Sequence, residues 1–294
     1  MAAISRLRAR GLACALTFLA IGATAGSAAA DDDDDDPRPA AGIQDNSFLI
    51  DEAYNQKPGE VQHVLTLQRQ YRDWYLSFVQ EWALGSQTHQ LGYSVPYTWL
   101  RSEGQRVHGI GDIEITYRYQ AWLETATMPA FAPSLSLIVP TGSQRRGLGD
   151  GSFGVEVKFP FSKIVADRVT LHANAGITHL FDVYGHSPTS FMAGASGVYA
   201  VTRDFNVLLE GIVERSESVN DAREIERETT FTLSPGFRKA WNFPEDKQFV
   251  VGFATPITFS RERTDYGLFF YASFEHRFLS KAPAASSRLP FPVK

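Results

Sequence analysis

Seven histidines, His63, His89, His108, His172, His179, His186 and His276, are the side chains whose type best suits proton transfer or metal ligation near neutral pH. Their spacing supports neither. The chain contains no H-E-x-x-H, no G-x-S-x-G and no phosphate-binding loop. His172 and His179 are seven apart on one predicted strand and its end, which sends them to opposite faces. No two histidines share metal-ligand spacing with a third ligand nearby. A Ser–His pair at a bilayer edge would permit lipid hydrolysis, and His276 on an apolar face keeps that reading open. A lone histidine near a strand end is more commonly an interfacial residue. No catalytic residue, cofactor or metal centre is expected. What retains chemical meaning is a set of polar side chains, Glu114, Arg118, Glu156, Lys158, His172, Asn174, Glu210, Arg238, Glu275 and Arg277, each set between apolar neighbours.

That alternation is the dominant pattern from Val61 onward. Ile113, Ile115, Tyr117 and Tyr119 interleave with Glu114, Thr116, Arg118 and Gln120. Phe153, Val155, Val157 and Phe159 interleave with Gly154, Glu156 and Lys158, and the stretches 167–179 and 265–278 repeat the pattern. Successive strand side chains point to opposite faces, so each segment has an apolar and a polar side. Twelve segments are predicted, over 61–70, 73–83, 88–99, 110–122, 130–140, 151–161, 167–179, 190–200, 204–214, 228–239, 247–259 and 265–278. Many exceed the five or six residues usual in a soluble sheet and match the roughly 9–11 of a tilted strand crossing a bilayer. The predicted fold is all-β: a transmembrane, antiparallel, up-and-down β-barrel of about twelve strands.

The connections support this arrangement. Leu100–Gly109, Thr141–Asp150, Leu180–Thr189, Arg215–Arg227 and Ser260–Thr264 read as polar loops at one end, and Leu84–Gln87, Ser162–Ala166 and Val201–Arg203 as turns at the other. Tyr71–Arg72 is shorter and Leu123–Pro129 longer than the rule requires. Trp74, Trp82, Tyr97, Trp99, Tyr117, Tyr119, Trp122, Tyr199, Trp241 and Tyr266 mark segment ends, as an interfacial girdle would. Prolines fit least well. Pro96, Pro133, Pro140, Pro160, Pro235 and Pro256 fall in or beside strands, and Pro235 and Pro256 lie deep enough to require bulges or shifted boundaries.

The ends read differently. Arg6, Arg8 and Arg10, the apolar Leu12–Ile21 and the small Ala28–Ala30 form a signal peptide over 1–30. Cys14, the one cysteine, lies inside its apolar core, so a mature chain has no disulfide. Residues 31–60 are read as a periplasmic segment. Its Asp31–Asp36 run is simplest as a solvated linker, with weak calcium binding the rival reading. The more apolar 43–59 either docks on the barrel or plugs it. The barrel occupies 61–278, and 279–294 forms a flexible tail. A net charge of −5 gives no reason to expect nucleic acid, and a mean hydropathy of −0.19 excludes a bundle of spanning helices.

In a membrane barrel the polar faces line the lumen. Both charge signs are present there, which is compatible with a narrow, weakly selective passage or with a salt-bridged interior that conducts nothing. The charged stretch Glu214–Glu228 is best read as solvated external loop.

Several stretches together carry a resemblance. They are Gly109-Ile-Gly-Asp-Ile-Glu-Ile-Thr-Tyr-Arg-Tyr119, Pro133-Ser-Leu-Ser-Leu-Ile-Val-Pro-Thr-Gly142, Gly149-Asp-Gly-Ser-Phe-Gly-Val-Glu-Val157, Tyr266-Gly-Leu-Phe-Phe-Tyr271 and Phe274-Glu-His-Arg-Phe278. In this order the chain resembles the outer-membrane barrels grouped as the "meta-pathway of phenol degradation" transporter-like family, over Val61 to Phe278. The resemblance implies passage of small hydrophobic or aromatic solutes across the outer membrane of a Gram-negative-type bacterium. The partners it implies are outer-membrane lipid, lipopolysaccharide and the barrel-assembly machinery. The chain departs from the usual aromatic terminus of such barrels, because Leu279–Lys294 follow Phe278. Two rivals stand beside this reading: a soluble β-sandwich or lipocalin-like carrier with its apolar faces turned inward, and a non-conducting structural barrel.

Overall fold

The computed structural model describes residues 42, 43, 45, 47–102, 105–244 and 247–278. The signal peptide, the Asp31–Asp36 run and the tail 279–294 lie outside them.

Twelve strands close into one antiparallel barrel. They are β1 (Glu60–Gln70), β2 (Asp73–Ala83), β3 (His89–Ser102), β4 (Gln105–Ile110 with Ile113–Tyr119), β5 (Ala130–Phe131 with Ser134–Val139) and β6 (Gly154–Ala166). They continue with β7 (Val169–Leu180), β8 (Thr189–Thr202), β9 (Phe205–Val219), β10 (Ile225–Phe243), β11 (Lys247–Ala254 with Ile257–Ser260) and β12 (Thr264–Tyr266 with Leu268–Arg277). Each pairs with its neighbours in sequence, and β1 closes the ring on β12 from Glu60 opposite Arg277 to Arg69 opposite Leu268. Closure leaves no edge strand, so no row of backbone donors meets lipid unpaired.

The apolar faces point outward. Leu65, Tyr117, Leu135, Phe159, Leu171, Leu209, Phe237, Val251 and Phe270 are exposed, while Glu114, Arg118, Lys158, His172, Asn174, Glu210 and Arg238 are buried on the opposite side of the same strands. A soluble sandwich or carrier would place them the other way round. Girdle aromatics Trp99, Tyr119, Tyr199, Trp241 and Tyr266 are also exposed at strand ends. Among the described residues no helix is long and apolar enough to span a membrane.

Two of the expected long loops are mostly strand. Most of Leu100–Gly109 continues the β3–β4 hairpin, in which Arg101 pairs with Arg106. Within Arg215–Arg227, Arg215–Val219 extends β9 and Ile225–Arg227 begins β10, a strand of 19 residues. These extensions are polar on both faces because both faces meet water there, which erases the alternation that marks a strand within lipid. The largest true loop, between β5 and β6, carries the 3₁₀ turn Gln144–Arg146. Asp112 pins that loop by accepting the backbone N–H groups of Gly142 and Asp150, each at 2.8 Å.

The prolines sit at interruptions of the ladder. Pro96 carries no N–H, and its carbonyl takes Gly111 N–H at 2.9 Å where β4 breaks. Pro133 interrupts β5 against Pro160, whose carbonyl takes Ala132 N–H. Pro235 faces the break at Thr255–Pro256 in β11, and Pro256 faces the break at Gly267 in β12. The strands carrying Pro96 and Pro235 are continuous, and it is their partners that bend.

Candidate functional site: the occluded lumen

Asp45 and residues 47–58 lie across the barrel interior as a strap. The chain enters at the end where β1 begins and β12 finishes, where Gln248 Nε2 donates to the Gly42 carbonyl at 3.0 Å. It leaves through Gly59, whose carbonyl takes Phe278 N–H at 2.8 Å, into β1. The sequence left docking and plugging open; the segment lies inside. Its backbone runs almost without secondary structure, so the barrel wall must supply its hydrogen bonds.

The wall does so residue by residue. Glu210 Oε1 accepts the N–H groups of Phe48, Leu49 and Ile50 at 3.0, 2.8 and 3.1 Å. Asn174 takes Asp51 N–H at 2.8 Å through Oδ1 and donates Nδ2 to the Asp51 carbonyl at 2.9 Å, as a neighbouring strand would. Ser162 Oγ takes Ala53 N–H, Gln120 Oε1 takes Asn55 N–H, and Gln90 Oε1 takes Gln56 N–H, at 2.6–2.8 Å. Gln87 and Asn55 exchange two further bonds.

Charge fixes the first part of the strap. Asp45 accepts from Gln62 at 2.8 Å and from the Tyr271 and Ser273 hydroxyls, while Arg238 donates to the Asp45 carbonyl at 2.9 Å. Burial pushes the Asp45 carboxyl above its ordinary range, against the opposing pull of Arg238 and these three donors. Lys158 Nζ bridges Asp51 at 3.3 Å and Glu156 at 3.1 Å.

Apolar contacts complete the seat. Phe48 packs on Phe269 and Tyr271, both at 5.4 Å between ring centroids. Gly236 and Gly252 make room for its ring, since a Cβ there would come within 2.8 and 2.3 Å of it. Ile50 reaches so close to Gly194 that a Cβ there would collide with it at 2.6 Å. Tyr54 sits against Ala53, Ala130 and Ala132 and donates to Glu124 at 2.6 Å.

The polar residues singled out in the sequence fall into three groups. Glu210, Asn174, Arg238 and Lys158 touch the strap directly. Glu156 steadies Lys158 and accepts from Thr178, His172 Nδ1 lies 2.7 Å from the Ser162 hydroxyl beneath Ala53, and Arg277 ties Glu60 at 2.9 Å where β1 begins. Glu114, Arg118 and Glu275 also face inward, Arg118 opposite Gln90 and Glu275 opposite Gln62 in the register, beside the strap seat. The sequence reading missed Gln62, Gln90, Gln120, Ser162, Tyr271 and Ser273, which are uncharged members of the same inward faces. It also missed Gly236 and Gly252, where an absent side chain is the signal. The Ser162–His172 pair has the atoms of a catalytic dyad, but it is buried and its hydroxyl is already committed to the strap.

The chain has similar counterparts among solved structures. The chain is similar to the outer membrane channel COG4313 of Pseudomonas putida F1, at 12% identity and a TM-score of 0.57, over 76% of this chain and 97% of that one. It is also similar, at 11% identity and a TM-score of 0.40, to the CymD monoaromatic hydrocarbon channel, over 77% of this chain and 90% of that one. A search of curated sequences gives no match. A family model matches residues 45–274, from the first strap anchor to the last strand, and the chain belongs to the family described as "Putative MetA-pathway of phenol degradation".

Proposed function

We propose that this protein is a passive outer-membrane channel for small apolar or aromatic solutes, and that such solutes leave it sideways through the barrel wall. The observation that carries the reading is the relation between strap and wall. The strap bars the lumen toward the end where β1 begins, and polar solutes would have to displace its hydrogen bonds. The ladder breaks that face Pro96 on β3 and lie at Gly267 on β12 are on the loop side of the strap contacts made by Gln90 and Tyr271, and the break that faces Pro235 on β10 lies beside the Phe48 seat at Gly236. A solute entering from the loop end meets the breaks at Gly111 and Gly267 before it meets the strap, and finds the ladder beside Pro235 level with the seat of Phe48. An apolar solute gains by passing into hydrocarbon there, and a polar one does not. The family's association with phenol degradation fits that solute class.

In this reading the loops face the exterior and both termini face the periplasm. Lipid and lipopolysaccharide contact the outer belt, and the barrel-assembly machinery inserts the chain after removal of residues 1–30. Residues 31–44 then form the periplasmic lead into the strap, and 279–294 form a free tail. Glu114 tints the loop-side lumen electrostatically, and the remaining inward charges flank or hold the strap. No catalytic step is assigned.

The test is uptake of a labelled monoaromatic hydrocarbon by cells whose lipopolysaccharide leaflet is intact, with and without the barrel. The barrel should raise the uptake rate several-fold and leave disaccharide entry unchanged. Pro235→Val, which restores a backbone donor at the wall, should lower aromatic uptake while ion conductance stays constant. Equal uptake with and without the protein would defeat the reading.

A further inference from the structure

A second polar feature lies on the opposite side of the wall. His63 on β1 and His276 on β12 are 213 residues apart in sequence, yet their Nε2 atoms are 3.4 Å apart. Both belong to outward-facing positions: His63 shares its face with exposed Leu65, and His276 with exposed Phe270 and Phe274. The register sets Val61 opposite His276 and His63 opposite Phe274, so the two imidazoles meet diagonally across the seam where the first strand closes on the last.

We propose that His63 and His276 form a two-histidine site for a divalent transition-metal ion such as Zn²⁺, clipping the barrel seam from outside. Three observations support it. First, two imidazole nitrogens on a tetrahedral zinc, each about 2.0–2.1 Å from the metal, lie roughly 3.3–3.4 Å apart, so the observed separation suits two adjacent ligands of one ion. Second, His276 Nδ1 lies 3.4 Å from the Arg277 carbonyl. In the tautomer that carries its proton on Nδ1, this contact leaves Nε2 with its lone pair free, the arrangement typical of a metal-bound histidine. Third, both rings are held by neighbours: Phe78 stacks on His63 and Phe274 lies against His276. The ligand pair is therefore positioned before any ion arrives. Both rings are only partly buried, near the start of β1 and the end of β12, so water or a lipid phosphate can fill the other two positions.

The site exists only when β1 and β12 are paired, so an ion bound there favours the closed barrel by mass action. The test uses the whole mature chain, without an affinity tag, in detergent. Zn²⁺ titrated by calorimetry should bind with one site per chain at micromolar affinity and raise the temperature at which the heat-modifiable band unfolds, and EDTA should reverse that rise. His63→Asn and His276→Asn should each weaken binding at least tenfold and abolish the rise, while keeping the compact band in EDTA that reports a folded barrel. His89→Asn, a surface histidine elsewhere, should change neither. Binding that is absent at 100 µM Zn²⁺, or that survives equally in His63→Asn, would overturn the site and assign the short contact to a simple hydrogen-bonded ring pair.

Discussion

The two halves of the strap are held by different chemistry. Asp45–Ile50 is gripped by charge: a single oxygen of Glu210 serves three amides, Arg238 holds a carbonyl, and Asp45 gathers an amide and two hydroxyls. The backbone of Asp51–Gln56 is gripped by neutral amides and a hydroxyl, Asn174, Ser162, Gln120 and Gln90, supplemented at its side chains by the Lys158 bridge and the Tyr54–Glu124 bond. Hydrogen bonds to charged groups are worth about 1.5–3 kcal/mol each and neutral ones about 1 kcal/mol. The first half is therefore a concentrated anchor, in which one substitution undoes several contacts. The second is distributed, and each member can be lost with modest effect.

This difference sets an order of sensitivity that ion conductance in planar bilayers can read, since conductance reports how often the strap vacates the lumen. Glu210→Ala should have the largest effect. It orphans three amides at once, a loss of at least ~3 kcal/mol, and should raise conductance by about 10²-fold. An unchanged conductance would show that the anchor is not concentrated. Gly252→Leu should come next, with a rise of about tenfold or more. A side chain there collides with the Phe48 ring, and overpacking of this kind costs about 1–3 kcal/mol. Phe48→Ala combined with Gly252→Leu should then open the channel little further than Phe48→Ala alone, because the clash has lost its partner. Asn174→Ala removes two neutral bonds and should give a roughly tenfold rise. Gln90→Ala removes one bond to the strap and should change conductance only a few-fold. If Gln90→Ala matches Glu210→Ala, the two halves act as one unit and the contrast fails.

Much of the barrel could be read from residue order. Alternation placed Ile113, Ile115 and Tyr117 outside and Glu114 and Arg118 inside, and the outward set agrees with the exposure of the same face on β4, β6, β7 and β12. Strand spans within the membrane came close, as in 73–83 for β2, because lipid on one side and a polar interior on the other impose a two-residue period. Where both faces meet water the period vanishes, and the ends of β9 and β10 read as loop. Prolines 235 and 256 signalled a break, but not which strand would bend. That depends on which partner carbonyl or amide is left unpaired across the ladder.

The interior was legible only as a set of polar residues. Glu210 and Asn174 read as lumen side chains awaiting a solute, yet each holds the chain's own backbone 123 or more residues away in sequence. No local pattern encodes that contact, because the strap has no period and its hydrogen bonds go to side chains brought round by closure of the ring. The same holds for His63 and His276, which meet only because the first strand pairs with the last. By itself, then, the sequence determined which face of each strand shuns water, since that follows from side-chain type and a two-residue repeat. Tertiary structure alone decided what fills the space those faces enclose and which residues meet across the seam, because closing a barrel joins groups whose separation along the chain carries no signal of their nearness.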